Sequence, residues 1–389
     1  MSSIHLADRM NDIRPFYVMD LLARAKQLEA SGRSIIHLEV GEPDFATPET
    51  ITRAAQTALN TQLMHYTPAV GLLELRQMIA DYYQLRFNTR VPVERIVITP
   101  GASGALQLAL SVLINPGDEV LMTDPGYPCN RHFVRLLEGK ATSIPVTSET
   151  GYQLTPDLIG QHSTSRTVAT LIASPSNPTG TSVNQQQMKA IIDRVEQQNI
   201  CLLIDEIYQG LTYETENYTA LSLTDQAFVI NSFSKFFGMT GWRLGWMVVP
   251  EAFIGAVDRL AQNIFLAPST LSQYAALQAF NQPTMQILEQ RRQAFRQRRD
   301  YLLPALKSLG FEIPVDPEGA FYIYANCARF TDDSFAFVYQ LLDEIGVAIT
   351  PGIDFGEFNA RQHVRFAYTR PIPVLEEAVS RLKEYLKNF

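Results

Sequence analysis

Cysteine is scarce in this chain. Three occur in 389 residues, Cys129, Cys201 and Cys327, far apart and odd in number. That argues against a disulfide framework, and the lack of any C-x-x-C or H-E-x-x-H spacing leaves metal ligation without a pattern. Few thiols suit a reducing compartment. No apolar run has the length needed to cross a bilayer. The first ten residues, M-S-S-I-H-L-A-D-R-M, hold no apolar signal core. The expected location is the cytoplasm, with no membrane partner. Positive charge is not in excess either: the formal net charge is -8, which disfavours nucleic acid as a partner. The densest basic run, Arg291, Arg292, Arg296, Arg298 and Arg299, reads as a solvated helix face. Short repeats and low-complexity segments are missing. What remains is an ordinary globular composition, 46% hydrophobic and 19% charged, with length for roughly two or three domains.

The middle of the chain alternates short apolar runs with helical patterns. Strands are expected at Arg95–Thr99, Glu119–Thr123, Val168–Ser174, Ile200–Asp205, Ala227–Asn231 and Leu244–Val249. Several are apolar throughout, as strands buried on both faces are. Helical patterns such as Ala102–Ile114 and Asn184–Gln198 lie between them. The alternation predicts an α/β fold, a mostly parallel central sheet between helices. Beyond a long helix pattern from about Thr284 to Leu309, short strands are expected at Ala320–Tyr324, Val347–Ile349 and Val364–Ala367, then an amphipathic stretch from Pro373 to Leu386. This reads as a smaller α+β domain. The expected division is an N-terminal segment 1–48 packing with the small domain, a large domain 49–285 and a small domain 286–389.

Six segments carry possible chemistry. Lys235 stands in N-S-F-S-K-F-F-G-M-T-G-W-R, among Phe233, Phe236 and Phe237. Apolar surroundings lower a lysine's pKa, as a Schiff-base amine requires. Ser232 and Arg243 nearby suit a phosphate-bearing cofactor. Asp205 follows an apolar strand, where a parallel sheet presents groups to ligands; a helix N-cap is the plainer alternative. Tyr208 adds a phenol three residues on. Asn177 sits in the rigid turn S-P-S-N-P-T-G, which by composition alone is a plain turn. In T-P-G-A-S-G-A-L, Ala102 and Ser103 open a helix and let backbone N–H groups approach an anion, or merely permit tight packing. Tyr127, in D-P-G-Y-P, can stack on a flat ring or pack as a loop tyrosine. Arg365, in H-V-R-F-A-Y-T, faces away from Val364 and Phe366 and can clamp a carboxylate or form a structural salt bridge.

In this order, over almost the whole chain from about Phe16, these segments resemble the class I/II aminotransferases of the fold-type-I pyridoxal-phosphate family. The blocks around Lys235 and Arg243, S-N-P-T-G and D-E-I-Y carry the resemblance most specifically. It implies pyridoxal 5'-phosphate as cofactor and Lys235 as the Schiff-base lysine that also shuttles a proton. Asp205 is implied as partner of the pyridine nitrogen, and Asn177 and Tyr208 as partners of the ring oxygen. Ser232, Arg243, Ala102 and Ser103 are implied at the phosphate, and Tyr127 is implied against the ring. Arg365, with Gly41 of E-V-G-E-P-D-F beside it, would hold the substrate carboxylate. Tyr66 would reach the phosphate of a neighbouring subunit, so a homodimer with shared sites is expected. The implied reaction moves an amino group from an L-amino acid to a 2-oxo acid by a ping-pong mechanism.

The chain departs from the pattern of some aspartate-specific relatives, which have a lysine where Ser103 stands here. The segment Ala261–Thr270 also has no basic residue. A dicarboxylate side chain is thus not clearly provided for, although Arg14 could enter the pocket, and neutral donors are expected at least equally. A carbon–sulfur (β-eliminating) lyase on the same scaffold is the competing enzymatic reading. A cofactor-sensing DNA-binding regulator is disfavoured, since the motifs start within the first few dozen residues.

Overall fold

A computed structural model describes residues 5–214 and 218–388. The first strand β1 (Ile36–His37) follows helix α1 (Tyr17–Ala30) and precedes α2 (Glu49–Thr61) and α3 (Leu73–Phe87). Then come β2 (Ile96–Thr99), α4 (Gly101–Ser111), β3 (Glu119–Asp124), α5 (Pro128–Leu136), β4 (Lys140–Pro145), α6 (Pro156–His162), β5 (Thr167–Ala173) and α7 (Gln185–Gln197). β6 (Cys201–Asp205), β7 (Phe228–Ser232) and β8 (Gly245–Val248) complete the central sheet. Helices α8 (Ile254–Ile264), α9 (Thr270–Ala276) and the long α10 (Gln282–Leu309) follow. The chain ends with β9 (Tyr322–Asn326), α11 (Ser334–Gln340), β10 (Val347–Ala348), β11 (Thr350–Pro351), β12 (His363–Ala367) and α12 (Ile372–Tyr385).

The central sheet has seven strands in the order β2-β8-β7-β6-β5-β3-β4. Every pairing is parallel except those of β8, which runs antiparallel to both β2 and β7. Alternate side chains enter two separate apolar clusters. Ile96, Ile98, Ile204, Val229 and Trp246 join one, while Val97, Leu203, Phe228, Ile230 and Met247 join the other. Both faces are therefore covered, which explains why these strands are apolar throughout. A second, antiparallel sheet has the order β11-β12-β9, and β1 pairs in parallel with β10. No helix among the described residues is long and apolar enough to cross a membrane.

The expected central strands all form, within a residue or two at each end. Two readings need correction. β9 starts at Tyr322 rather than Ala320, because Ala320 has φ +57° and Gly319 is bridged to Thr212. The basic run on α10 is not simply a solvated face: Arg298 and Arg299 are only 5% and 8% exposed. Arg298 grips both oxygens of Asp44 at 2.7 and 3.0 Å, and Arg299 grips both oxygens of Glu214 at 2.6 and 2.8 Å. Arginine can leave water this way because its fork meets a carboxylate with two parallel bonds.

Candidate active site

The loops leaving the carboxyl ends of β2, β3, β5, β6 and β7 converge on one edge of the central sheet. Such edges are where open α/β sheets bind ligands. Arg243 reaches the same edge because β8 runs the other way, so the residues before it emerge there. Together with β12 of the second sheet, these loops line a cavity of about 270 Å³. Lys235, Asp205, Tyr208, Asn177, Tyr127, Ser232, Arg243, Ala102, Ser103, Gly41 and Arg365 all line it. Tyr66 does not: it is 81% exposed on the surface.

Lys235 lies half-buried, and its Nζ donates to Gly41 O at 2.7 Å. Burial pulls its pKa down to about 8, with Arg365 and Arg243 pushing the same way and Glu42 and Asp205 opposing. The apolar surroundings are not the ones suggested by its sequence neighbours. Phe233 and Phe237 pack into the core against Trp246, at ring-centroid distances of 4.8 and 6.0 Å. The rings that flank the amine are Tyr208 and Phe321, both 5.8 Å from Nζ.

Asp205 closes the end of β6 and is buried. Its Oδ1 accepts from the N–H of Ile207 at 3.1 Å, a local turn bond that holds the carboxylate in place. Burial raises its pKa to about 6, against the opposing pull of that N–H and of Lys235. A buried carboxylate with an oxygen to spare suits a cationic N–H partner. Tyr208 Oη pairs with Tyr322 Oη at 2.8 Å.

At another part of the cavity, α4 starts with Gly101, Ala102 and Ser103, so its first N–H groups are free to meet an anion. Gly101 has φ +71°, and a Cβ there would come within 2.6 Å of Arg243 Nη2. Arg243 itself has φ +52°, an uncommon setting for a residue with a side chain. Its Nη1 donates to Thr240 O at 3.0 Å and lies 3.4 Å from Ser234 Oγ. Ser232 Oγ in turn accepts from Ser234 N at 3.0 Å. Two hydroxyls, a guanidinium and a helix N-terminus form a donor set that fits a phosphate.

Arg365 is 2% exposed, and among the described residues no carboxylate lies within ion-pair reach of it. The structural salt bridge weighed as its plainer role is thus not formed. Nη1 donates to Asn177 Oδ1 at 2.9 Å, and Nη2 donates to Glu39 O and, at 3.2 Å, to Thr350 Oγ1. Its Nε is buried with no partner. An unmet donor on a buried cation is costly unless an anion completes it. Gly41 lies against Tyr322, where a Cβ would come within 2.1 Å of Tyr322 Oη.

Sequence reasoning missed Tyr322, Ser234, Glu42 and the wall formed by Phe16, Val18 and Met19. Ser234 and Glu42 sit inside motifs already singled out. Tyr322 and the wall residues carry no local signal.

The family model for aminotransferase class I and II matches residues 33–382. The (5-formylfuran-3-yl)methyl phosphate transaminase of Methanocaldococcus jannaschii is 37% identical, over 98% of this chain and 100% of its own. The valine–pyruvate aminotransferase of Mycobacterium tuberculosis is 36% identical, over 97% of each chain. A crystal structure of an aminotransferase from M. tuberculosis superimposes with a TM-score of 0.97 at 35% identity, covering 100% of both chains. Sequence and fold agree from end to end, and the chain belongs to the class I and II aminotransferases, pyridoxal-phosphate-dependent transaminases of fold type I.

Proposed function

We propose that this enzyme holds pyridoxal 5'-phosphate on Lys235 and transfers an amino group from an L-amino acid to a 2-oxo acid in two half-reactions. The observation that carries the reading is a half-buried amine lowered to about 8 in one cavity with a buried carboxylate, Asp205, and a guanidinium with an unmet donor, Arg365. The cofactor, when bound, supplies an electron sink that makes the substrate's Cα proton acidic. Everything else falls to the chain.

Ser232, Arg243 and the start of α4 at Ala102 and Ser103 would hold the phosphate. Asp205 would keep the pyridine nitrogen protonated, and Asn177 and Tyr208 would meet the ring oxygen. Tyr127 would lie against the ring. Arg365 would take the substrate's α-carboxylate, its planar fork fixing two oxygens at once, with the Gly41 backbone beside it. Lys235 Nζ is near neutrality, so it can accept the Cα proton and return it without a large energetic gap in either direction. Water is consumed in the first half-reaction and released in the second, so the exchange of amine for oxo group balances. The donor leaves as an oxo acid before the acceptor enters, which gives ping-pong kinetics.

The relatives' names differ in substrate, one a phosphorylated furan aldehyde's transaminase and one a valine–pyruvate enzyme, so membership of the family does not fix the donor. We read the enzyme as a homodimer. Tyr66 is exposed, and so are Leu59, Leu63 and Leu73 in the same stretch of sequence, apolar side chains of the kind that a second copy would cover. The free thiols of Cys129, Cys201 and Cys327 suit the cytoplasm.

The test is Lys235→Ala. It is expected to lower amino transfer by at least about a thousandfold, with circular dichroism and melting temperature close to those of the unaltered protein. A variant that still turns over at the original rate would sink the assignment.

A further inference from the structure

Three residues of the cavity lining, Phe16, Val18 and Met19, take no part in the roles above. They come from the entry to α1 and present hydrocarbon to the cavity. Phe16 meets Tyr127 edge-on, with ring centroids 6.3 Å apart. The helix they belong to has no side-chain cap of its own. Its first N–H groups are bonded from across the chain instead. Tyr17 N donates to Asp354 Oδ1 and Val18 N to Asp354 Oδ2, both at 2.9 Å.

Asp354 is 2% exposed. Its carboxylate meets the positive end of α1, and its own carbonyl accepts from Arg131 Nη2 at 3.0 Å. Arg131 belongs to α5, the helix for which Tyr127 is the N-cap. Asp354 therefore holds the apolar wall through its carboxylate and the element that carries Tyr127 through its main-chain carbonyl.

Charge decides what the wall accepts. A donor with a second carboxylate needs a further cation. Among the described residues, Lys235, Arg243 and Arg365 are the Lys and Arg side chains lining the cavity, and each already has a role. Arg14, close to the wall in sequence, is ion-paired with Glu357 at 3.1 Å and lines a different cavity with Arg131 and Asp124. The segment 261–270 holds no Lys or Arg and exposes Ile264 and Leu266.

We infer that Phe16, Val18 and Met19 form a subsite for amino donors with a neutral apolar side chain larger than methyl, and that Asp354 is the positioning residue that sets it. The inference rests on the aminotransferase reading. It is tested on the enzyme loaded with pyridoxal phosphate, using alanine, leucine, phenylalanine and aspartate as donors. Leucine and phenylalanine are expected to exceed aspartate in kcat/KM by about a hundredfold or more in the unaltered enzyme. In Asp354→Ala, KM for leucine and phenylalanine is expected to rise about tenfold more than KM for alanine. The absorbance of the bound cofactor and its pH midpoint stay as they were. Asp354→Asn, which keeps one of the two acceptors, is expected to fall between. Should Asp354→Ala fail to fold, Phe16→Ala reads the same ratio and is expected to move it the same way. Aspartate as the preferred donor, or an equal loss for every donor in these variants, would overturn the inference while leaving the aminotransferase reading in place. If no amino acid alters the cofactor band of the unaltered enzyme, the underlying reading fails and this one with it.

Discussion

Burial moves Lys235 and Asp205 in opposite directions, since it disfavours the charged form of each: the lysine falls to about 8 and the aspartate rises to about 6. For Asp205 this has a pH signature in the cofactor-free protein. A carboxyl raised above its ordinary value of about 3.9 means that the folded state binds more protons than the unfolded between roughly pH 4 and 6. The stability contributed by this group therefore falls as pH rises through that window. Asp205→Asn removes the buried charge. It is expected to raise the stability of the cofactor-free protein above pH 6, relative to its effect at pH 4, by about 2 kcal/mol. Melting temperatures across that range read the difference, and a flat difference would contradict it. In the loaded enzyme the same variant is expected to lose about a hundredfold or more in turnover. Most such side chains were legible in sequence, because a charged or phenolic residue just after an apolar strand stands out. Tyr322 was not, since one more tyrosine in an apolar strand looks like core. Asp354 was not, since its partners, the N–H groups of Tyr17 and Val18, are 337 and 336 residues away.

Among elements, the antiparallel strand β8 matters most for the site. It brings Arg243 to the ligand edge from the amino side of a strand, and its first residue packs on the start of α4. A Cβ at Gly245 would stand 2.7 Å from Gly101 C and 2.8 Å from Ala102 N. Those are backbone atoms and cannot swing aside. Gly245→Ala is expected to cost about 1–3 kcal/mol of stability. It is also expected to weaken pyridoxal-phosphate binding by about tenfold, since it displaces the helix start that would face the phosphate. A cofactor titration with a denaturant series reads both, and unchanged affinity would remove α4 from the phosphate site. Continuous apolar runs made the central strands legible, because burial on both faces leaves no polar position to blur them. β4 escaped notice because Lys140–Pro145, at the sheet edge, mixes polar and apolar residues and buries only Ile144. The long helix α10 was visible, but not which of its arginines are buried, because charge alone does not say whether a carboxylate waits across the chain.

At the scale of the whole molecule, distant stretches are held together by a few buried polar ties. β1 pairs with β10, and Leu38 N donates to Ala348 O. Arg298 joins Asp44 to α10 and donates to Thr369 O at 2.8 Å. Removing one partner of a buried pair strands the other, so Arg298→Ala is expected to cost about 3 kcal/mol, measured by denaturant unfolding. A loss under about 0.5 kcal/mol would show the tie to be idle. The candidate site depends on the same long-range order, since five strand ends and a strand of the second sheet must meet at one cavity. On the proposed reading, this cavity binds pyridoxal phosphate on Lys235 and exchanges amino for oxo groups. The most direct measurement is the absorbance spectrum of the purified protein with pyridoxal phosphate, recorded before and after single amino acids and then after a 2-oxo acid. The expected cofactor band forms with the unaltered chain but not with Lys235→Ala, disappears with an amino donor and returns with the oxo acid. A band that forms equally well without Lys235, or that no amino acid changes, would contradict it.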